Sequence, residues 1–246
     1  MIHLKRSLFW TALAAGLVAA GPAMAQQFSL DLGDGASTTG RIVELIALMT
    51  VLSLAPSILV MVTSFTRIVI VLGFLRQSLG TQGTPPNMVI ISLALFLTGF
   101  VMAPTFEQAY TTAIEPLIEN RIDEMTAFGL AVKPFQTFML KQVRPQDLKL
   151  FLDLSHAPQI AKPADAPLQA LVPAFMISEL RRAFEMGFLI FLPFLIIDMV
   201  VASVLMSMGM MMLPPASISL PFKLIFFVLV DGWYLVAGSL VQSFNS

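Results

Sequence analysis

Three charged side chains sit where charge is costly. Asp198 lies within Phe194-Leu195-Ile196-Ile197-Asp198-Met199-Val200-Val201, Asp231 within Phe226-Phe227-Val228-Leu229-Val230-Asp231-Gly232-Trp233, and Lys223 just inside the start of the same last apolar run. A charge at membrane depth costs about 2.5–3.5 kcal/mol on insertion scales, so such residues face a bundle interior or a partner. Three chemistries fit them. One is an ion or proton site. Another is a pair of aspartates sharing a proton, as in an intramembrane aspartyl protease. The third is a structural charge pair that fixes helix register. The third is favoured, because neither aspartate has the Tyr-Asp or Gly-x-Gly-Asp setting of a protease dyad. Candidate partners for the two aspartates are Lys223, Arg67 and the Glu179–Arg182 stretch of the box Ser178-Glu179-Leu180-Arg181-Arg182-Ala183-Phe184-Glu185. That box also reads as an interfacial anchor whose long side chains reach for water.

A second cluster is apolar. Met206-Ser207-Met208-Gly209-Met210-Met211-Met212-Leu213-Pro214-Pro215 places five of the sixteen methionines in seven positions. Thioether chains are unbranched and polarizable, and they mould to irregular surfaces. The plain reading is adaptable packing.

Other enzyme chemistry finds no residues. The two histidines are His3 and a lone His156, and there is no cysteine. No Walker A or dinucleotide fingerprint occurs, since Gly80 to Gly83 lacks the lysine that would follow. No cofactor, metal or catalytic residue is expected. The formal net charge of −1 gives no argument for nucleic acid as a partner.

Composition says what positions these side chains. Of 246 residues, 57% are hydrophobic and 12% charged, with a mean hydropathy of +0.85. Soluble domains carry about twice that charge. Long apolar runs cover Ile42–Val62, Asn87–Ala103, Phe184–Leu213 and Phe222–Val241. In hydrocarbon the backbone must satisfy its own hydrogen bonds, and period-2 alternation is missing, so the runs are helices. The reading is an all-α membrane protein of helical hairpins. Residues 41–104 form an N-terminal apolar hairpin ended by Pro104, 105–172 a polar helical insertion, and 173–246 a C-terminal apolar hairpin with the methionine-rich loop. The simplest count is four membrane segments. Thr63–Pro86 then reads as a cytoplasmic connection, with Arg67 and Arg76 obeying the positive-inside rule. The insertion falls in the periplasm. Pro193, Gly209 and Pro214-Pro215 interrupt the C-terminal runs, which places them in hairpins covered by neighbouring protein.

The first residues are a processing segment. His3, Lys5 and Arg6 make a basic start, Leu8–Ala20 an apolar core, and Ala23-Met24-Ala25 a cleavage site before Gln26. Residues 1–25 are therefore a cleavable signal, cut between Ala25 and Gln26, and 26–40 a flexible polar lead-in. Cleavage leaves the mature N-terminus outside the cytoplasm.

Ordered blocks along the chain carry a resemblance. They are Ser64-Phe65-Thr66-Arg67-Ile68-Val69-Ile70-Val71-Leu72, Gly83-Thr84-Pro85-Pro86-Asn87, Pro173-Ala174-Phe175-Met176-Ile177-Ser178-Glu179-Leu180, Gly187-Phe188 through Asp198-Met199-Val200, and Met208 through Pro215. The chain resembles the FliP family of the flagellar type III export gate, whose virulence relatives are called SctR. The signal resembles the flagellar branch.

The resemblance implies a core subunit of a ring- or cone-shaped gate in the bacterial inner membrane, at the flagellar basal body. Several copies would form a pentamer-type ring with FliQ and FliR, with FliO as assembly factor and FlhA and FlhB alongside. Unfolded flagellar subunits would pass through it to the periplasm, and membrane lipid would surround it. In this family the hairpins pack in a cone largely above the membrane plane, so hydropathy overstates the spans. Met208, Gly209, Met210, Met211 and Met212 map onto the family's pore gasket. The alternatives from other classes are a small ion-coupled secondary transporter built on Asp198, Asp231 and Lys223, and an aspartyl protease. A transporter would gain support from inverted repeats, and the sequence shows none.

Overall fold

The structure, a computed structural model, describes residues 38–81, 83–155, 165–210 and 212–245. The signal at 1–25 with its Ala25–Gln26 cut, the lead-in up to residue 37, His156 and Met211 lie outside the described residues. The chain divides into two units, Met1–Val51 and Leu52–Ser246, and the core and the charge clusters lie within the second.

Among the described residues every regular element is helical. In order they are α1 (Thr38–Met61), α2 (Phe65–Leu79), α3 (Asn87–Ala109), a π turn (Tyr110–Ile114), α4 (Glu115–Ile118), α5 (Glu124–Gln142), α6 (Pro145–Leu154), α7 (Leu168–Ser207), α8 (Pro215–Leu229) and α9 (Gly232–Gln242).

Local sequence sets the ends. α2 stops at Gly80, whose φ of 71° lets its N–H reach back to the Gln77 carbonyl. Pro85-Pro86 precede α3, and Pro145 and Pro215 open α6 and α8, where a missing N–H is harmless. Asp123 caps α5: its carboxylate accepts from the Thr126 N–H at 3.3 Å and the Thr126 hydroxyl at 2.6 Å. Those hydrogen bonds hold Asp123 below the usual carboxylate range.

Two boundaries fall elsewhere than the prolines imply. Pro104 does not end the second apolar run; α3, the π turn and α4 continue as one rod from Asn87 to Ile118. Pro173 and Pro193 both lie inside α7, a helix of 40 residues. A proline removes one hydrogen bond and can kink a helix, but neighbouring protein compensates within a packed or apolar setting. Nor is Thr63–Pro86 a loop. Most of it is α2, and Arg67 points into the core at 0% exposure, so it is not a cytoplasmic loop charge.

Two helices, Asn87–Ile118 and Leu168–Ser207, are long and apolar enough to cross a membrane, and up to four spans result if each bent pair counts as one. At 1.5 Å per residue, α7 is about 60 Å long, roughly twice the hydrocarbon thickness. Only part of it can lie in lipid.

The core gathers on α2. Ile68, Val71, Leu72 and Leu75 are buried there against Ile90 and Ala94 of α3, Ala183 and Phe194 of α7, Phe227 of α8 and Leu240 of α9. A second cluster joins Met139 of α5 and Leu148 of α6 to Leu171, Ala174 and Phe175 of α7. Leu171, Ala174 and Phe175, in the first turns of α7, thus pack with α5 and α6, whereas Ala183 and Phe194 further along pack with α2.

Candidate functional site

α2 and α7 pack so closely that Gly187 has no room for a side chain. A Cβ there would run into the ring of Phe74, which itself meets Phe184 edge-on at 5.1 Å. This contact sets the register that brings Arg67 to Glu179.

Arg67 and Glu179 form a fork with both side chains fully buried. Arg67 Nε donates to Glu179 Oε2 at 2.8 Å, and Nη2 donates to Oε1. Nη2 also donates to Gln142 Oε1 at 3.0 Å, and Nη1 donates to the Ser243 carbonyl at 3.1 Å and hydroxyl at 2.9 Å. These five bonds match the five N–H groups of a guanidinium. The Phe244 ring covers its face, with its centroid 3.8 Å from Cζ. Gln142 carries the network onward: its Nε2 donates to the Phe244 carbonyl at 3.0 Å, and its Oε1 accepts from Arg182 Nη1 at 2.6 Å. One arginine therefore ties α2, α5, α7 and the C-terminal turn together.

A second cluster sits between α7 and α8. Lys223 Nζ donates to Asp198 Oδ2 at 2.6 Å and to the Ser78 carbonyl at 3.1 Å. Ser219 donates to Asp198 Oδ1 at 2.5 Å. Ser219 and Lys223 are four residues apart, so they share one face of α8. Both carboxylate oxygens of Asp198 are engaged.

The remaining charges of the sequence reading separate from these clusters. Arg181 is half exposed and pairs with Glu185 along α7 at 2.8 Å, outside the buried set. The reason is helical phase: two residues on from Glu179, it points away from α2. Asp231 is also exposed, not buried. It stands in the break between α8 and α9 at φ 51°, and among the described residues no ion pair reaches it.

The methionine turn follows α7. Gly209 takes a φ of 72°, and the Met210 N–H donates to the Leu205 carbonyl at 3.0 Å, closing the helix end. Met208, Met210 and Met212 are 62%, 43% and 97% exposed. Among the described residues, little covers Met208 and Met212.

Several participants carry no signal in the sequence. Gln142, Ser219, Ser243 and the Ser78 carbonyl are neutral groups at or near helix ends. A third cluster was equally hidden: Arg144 forks onto Asp147 with two bonds of 2.8 Å, and Ser178 donates to Asp147 Oδ2 at 2.6 Å. Its one clue is that Ser178 adjoins Glu179, so one turn of α7 serves two buried acids.

Comparison with known proteins covers these same elements. The FliP family model matches residues 48–240. The chain is 62% identical over 245 residues to the flagellar biosynthetic protein FliP of Caulobacter vibrioides, covering 98% of this chain and 92% of that protein. It is 51% identical over 243 residues to that of Agrobacterium fabrum, covering 96% and 99%. With that of Bacillus subtilis it shares 58% over 202 residues, covering 82% and 91%.

Proposed function

The chain belongs to the FliP family, components of the flagellar export apparatus, and on that premise we propose that it is the pore-forming subunit of the export gate in the bacterial inner membrane. Several copies form a pentamer-type ring with FliQ and FliR, built with FliO and lying beside FlhA and FlhB. Unfolded flagellar proteins cross it, and the insertion at 105–172 lies on the periplasmic side.

One observation carries this reading. The second half of α7 is apolar, lies mostly uncovered by the described residues, and ends in a turn that exposes Met208, Met210 and Met212. A helix of this kind needs neighbours. A turn of flexible thioethers suits a constriction that must part around varied side chains and close again. The buried clusters support the same reading as structure. Arg67 has all five donors engaged and Asp198 has both carboxylate oxygens engaged, and the two ion pairs hold the hairpins in register.

The carrier and protease readings rest on the aspartates. Asp198 is engaged by Lys223 and Ser219, while Asp231 stands apart in another turn, so the two do not share a proton. We assign no catalysis.

The test is the native mass of the complex extracted in detergent with its co-purifying subunits. Several copies of this chain with other export proteins are expected. A lone chain that takes up a solute, or that cleaves a peptide reporter, would overturn the proposal.

A further inference from the structure

The charges of the apolar helices nearly cancel within one chain, and the remainder is informative. In α2, in α3 as far as Pro104, in α7 from Gly187 onward, and in α8 and α9 with the break between them, the charged residues are Arg67, Arg76, Asp198, Lys223 and Asp231. Arg67 is taken by Glu179 and Lys223 by Asp198. Arg76 and Asp231 are left, opposite in sign, and among the described residues no ion pair engages either.

Each is placed to meet something outside its own chain. The hydrogen bonds of Arg76 leave from Nη1, to the Pro85 carbonyl at 3.4 Å and to Asn87 Oδ1. Nε and Nη2 keep their donors. Beside Arg76 lies an open cavity of about 530 Å³, lined also by Gly73, Gln77, Thr81, Gly83 and Asn87. Asp231 stands at the tip of a 64° bend between α8 and α9. Phe227 braces that bend: its ring leaves no room for a Cβ on Gly232 and meets Trp233 edge-on at 5.4 Å. The flanks of the tip are apolar and bare, with Leu229 79% and Tyr234 74% exposed.

We propose that Asp231 of one copy docks into the Arg76 cavity of the next. The proposal rests on the ring reading above. An unpaired charge among apolar helices is costly, so each surface favours a partner bearing the other sign. A carboxylate meeting a guanidinium also gains the geometry of paired charge-assisted hydrogen bonds. Identical copies consume one Arg76 and one Asp231 per contact, which leaves no charge over. The contact joins two different surfaces, and head-to-tail contacts of that type generate rings when the rotation closes.

Cysteine cross-linking in the whole export complex tests this directly, because the chain has no cysteine of its own. Gln77→Cys and Val230→Cys, on two differently tagged full-length copies, leave both charges intact. A short bismaleimide should join the two tags. Charge reversal gives the second arm. Arg76→Glu and Asp231→Arg should each lower the recovered multimer about tenfold or more, and the double variant should restore most of it. A multimeric wild-type complex with no cross-link between tags, or a double variant no better than the worse single one, overturns the docking and leaves the ring standing. A wild-type complex holding one copy overturns both.

Discussion

Arg67 and Glu179, 112 positions apart, meet as an ion pair from which water is wholly excluded. Removing one partner strands the other. Arg67→Met or Glu179→Leu alone should therefore cost about 3–5 kcal/mol, while the double apolar replacement should recover much of the loss. Thermal unfolding of the detergent-solubilised protein checks this. A double variant as unstable as the sum of its singles would mean that Gln142 and Ser243, not Glu179, hold Arg67 in place.

Asp198 and Lys223 make a separate prediction, because their role divides two readings. If the pair is structural, Asp198→Asn and Lys223→Met should fail to assemble, and the loss should show as missing multimer in native gels. Normal assembly of Asp198→Asn with export abolished would make proton handling the better account.

The close approach of α2 and α7 is a steric matter. Gly187→Leu should collide with Phe74 and block assembly. Phe74→Ala in the same chain should restore part of it by opening space at that contact. Multimer yield is the readout, and a Gly187→Leu variant with normal yield would contradict the packing.

Much of this was legible in the sequence, for identifiable reasons. Apolar runs located the helices because backbone in hydrocarbon has few other options. Asp198 and Lys223 were legible as a possible pair, since each interrupts an apolar run. The destination of Arg67 was not. Nothing local to Arg67 says which carboxylate it meets 112 positions on. Pro104 misled as a stop signal, because the breaking power of proline is a local rule and the rod is held by α2 and α5. Asp231 misled in the other direction: apolar neighbours in sequence suggested burial, but the break between α8 and α9 puts it at a tip.

At the N-terminus the expected event is processing. The assembled protein should begin at Gln26, after cleavage behind Ala25. N-terminal sequencing of the purified complex decides it, and His3 or Leu4 in the mature chain would contradict it.

On the proposed function, the methionine turn closes a protein-conducting pore. The most direct measurement is ion conductance across the inner membrane of cells holding an intact complex in which Met210, Met211 and Met212 are all alanine. Branched or small residues seal one shape or none, whereas methionine fills gaps and yields. The ring should still assemble, with its native mass unchanged, and should leak ions between substrates. A triple variant that assembles, stays tight and exports normally would contradict it, and would leave these methionines as packing alone.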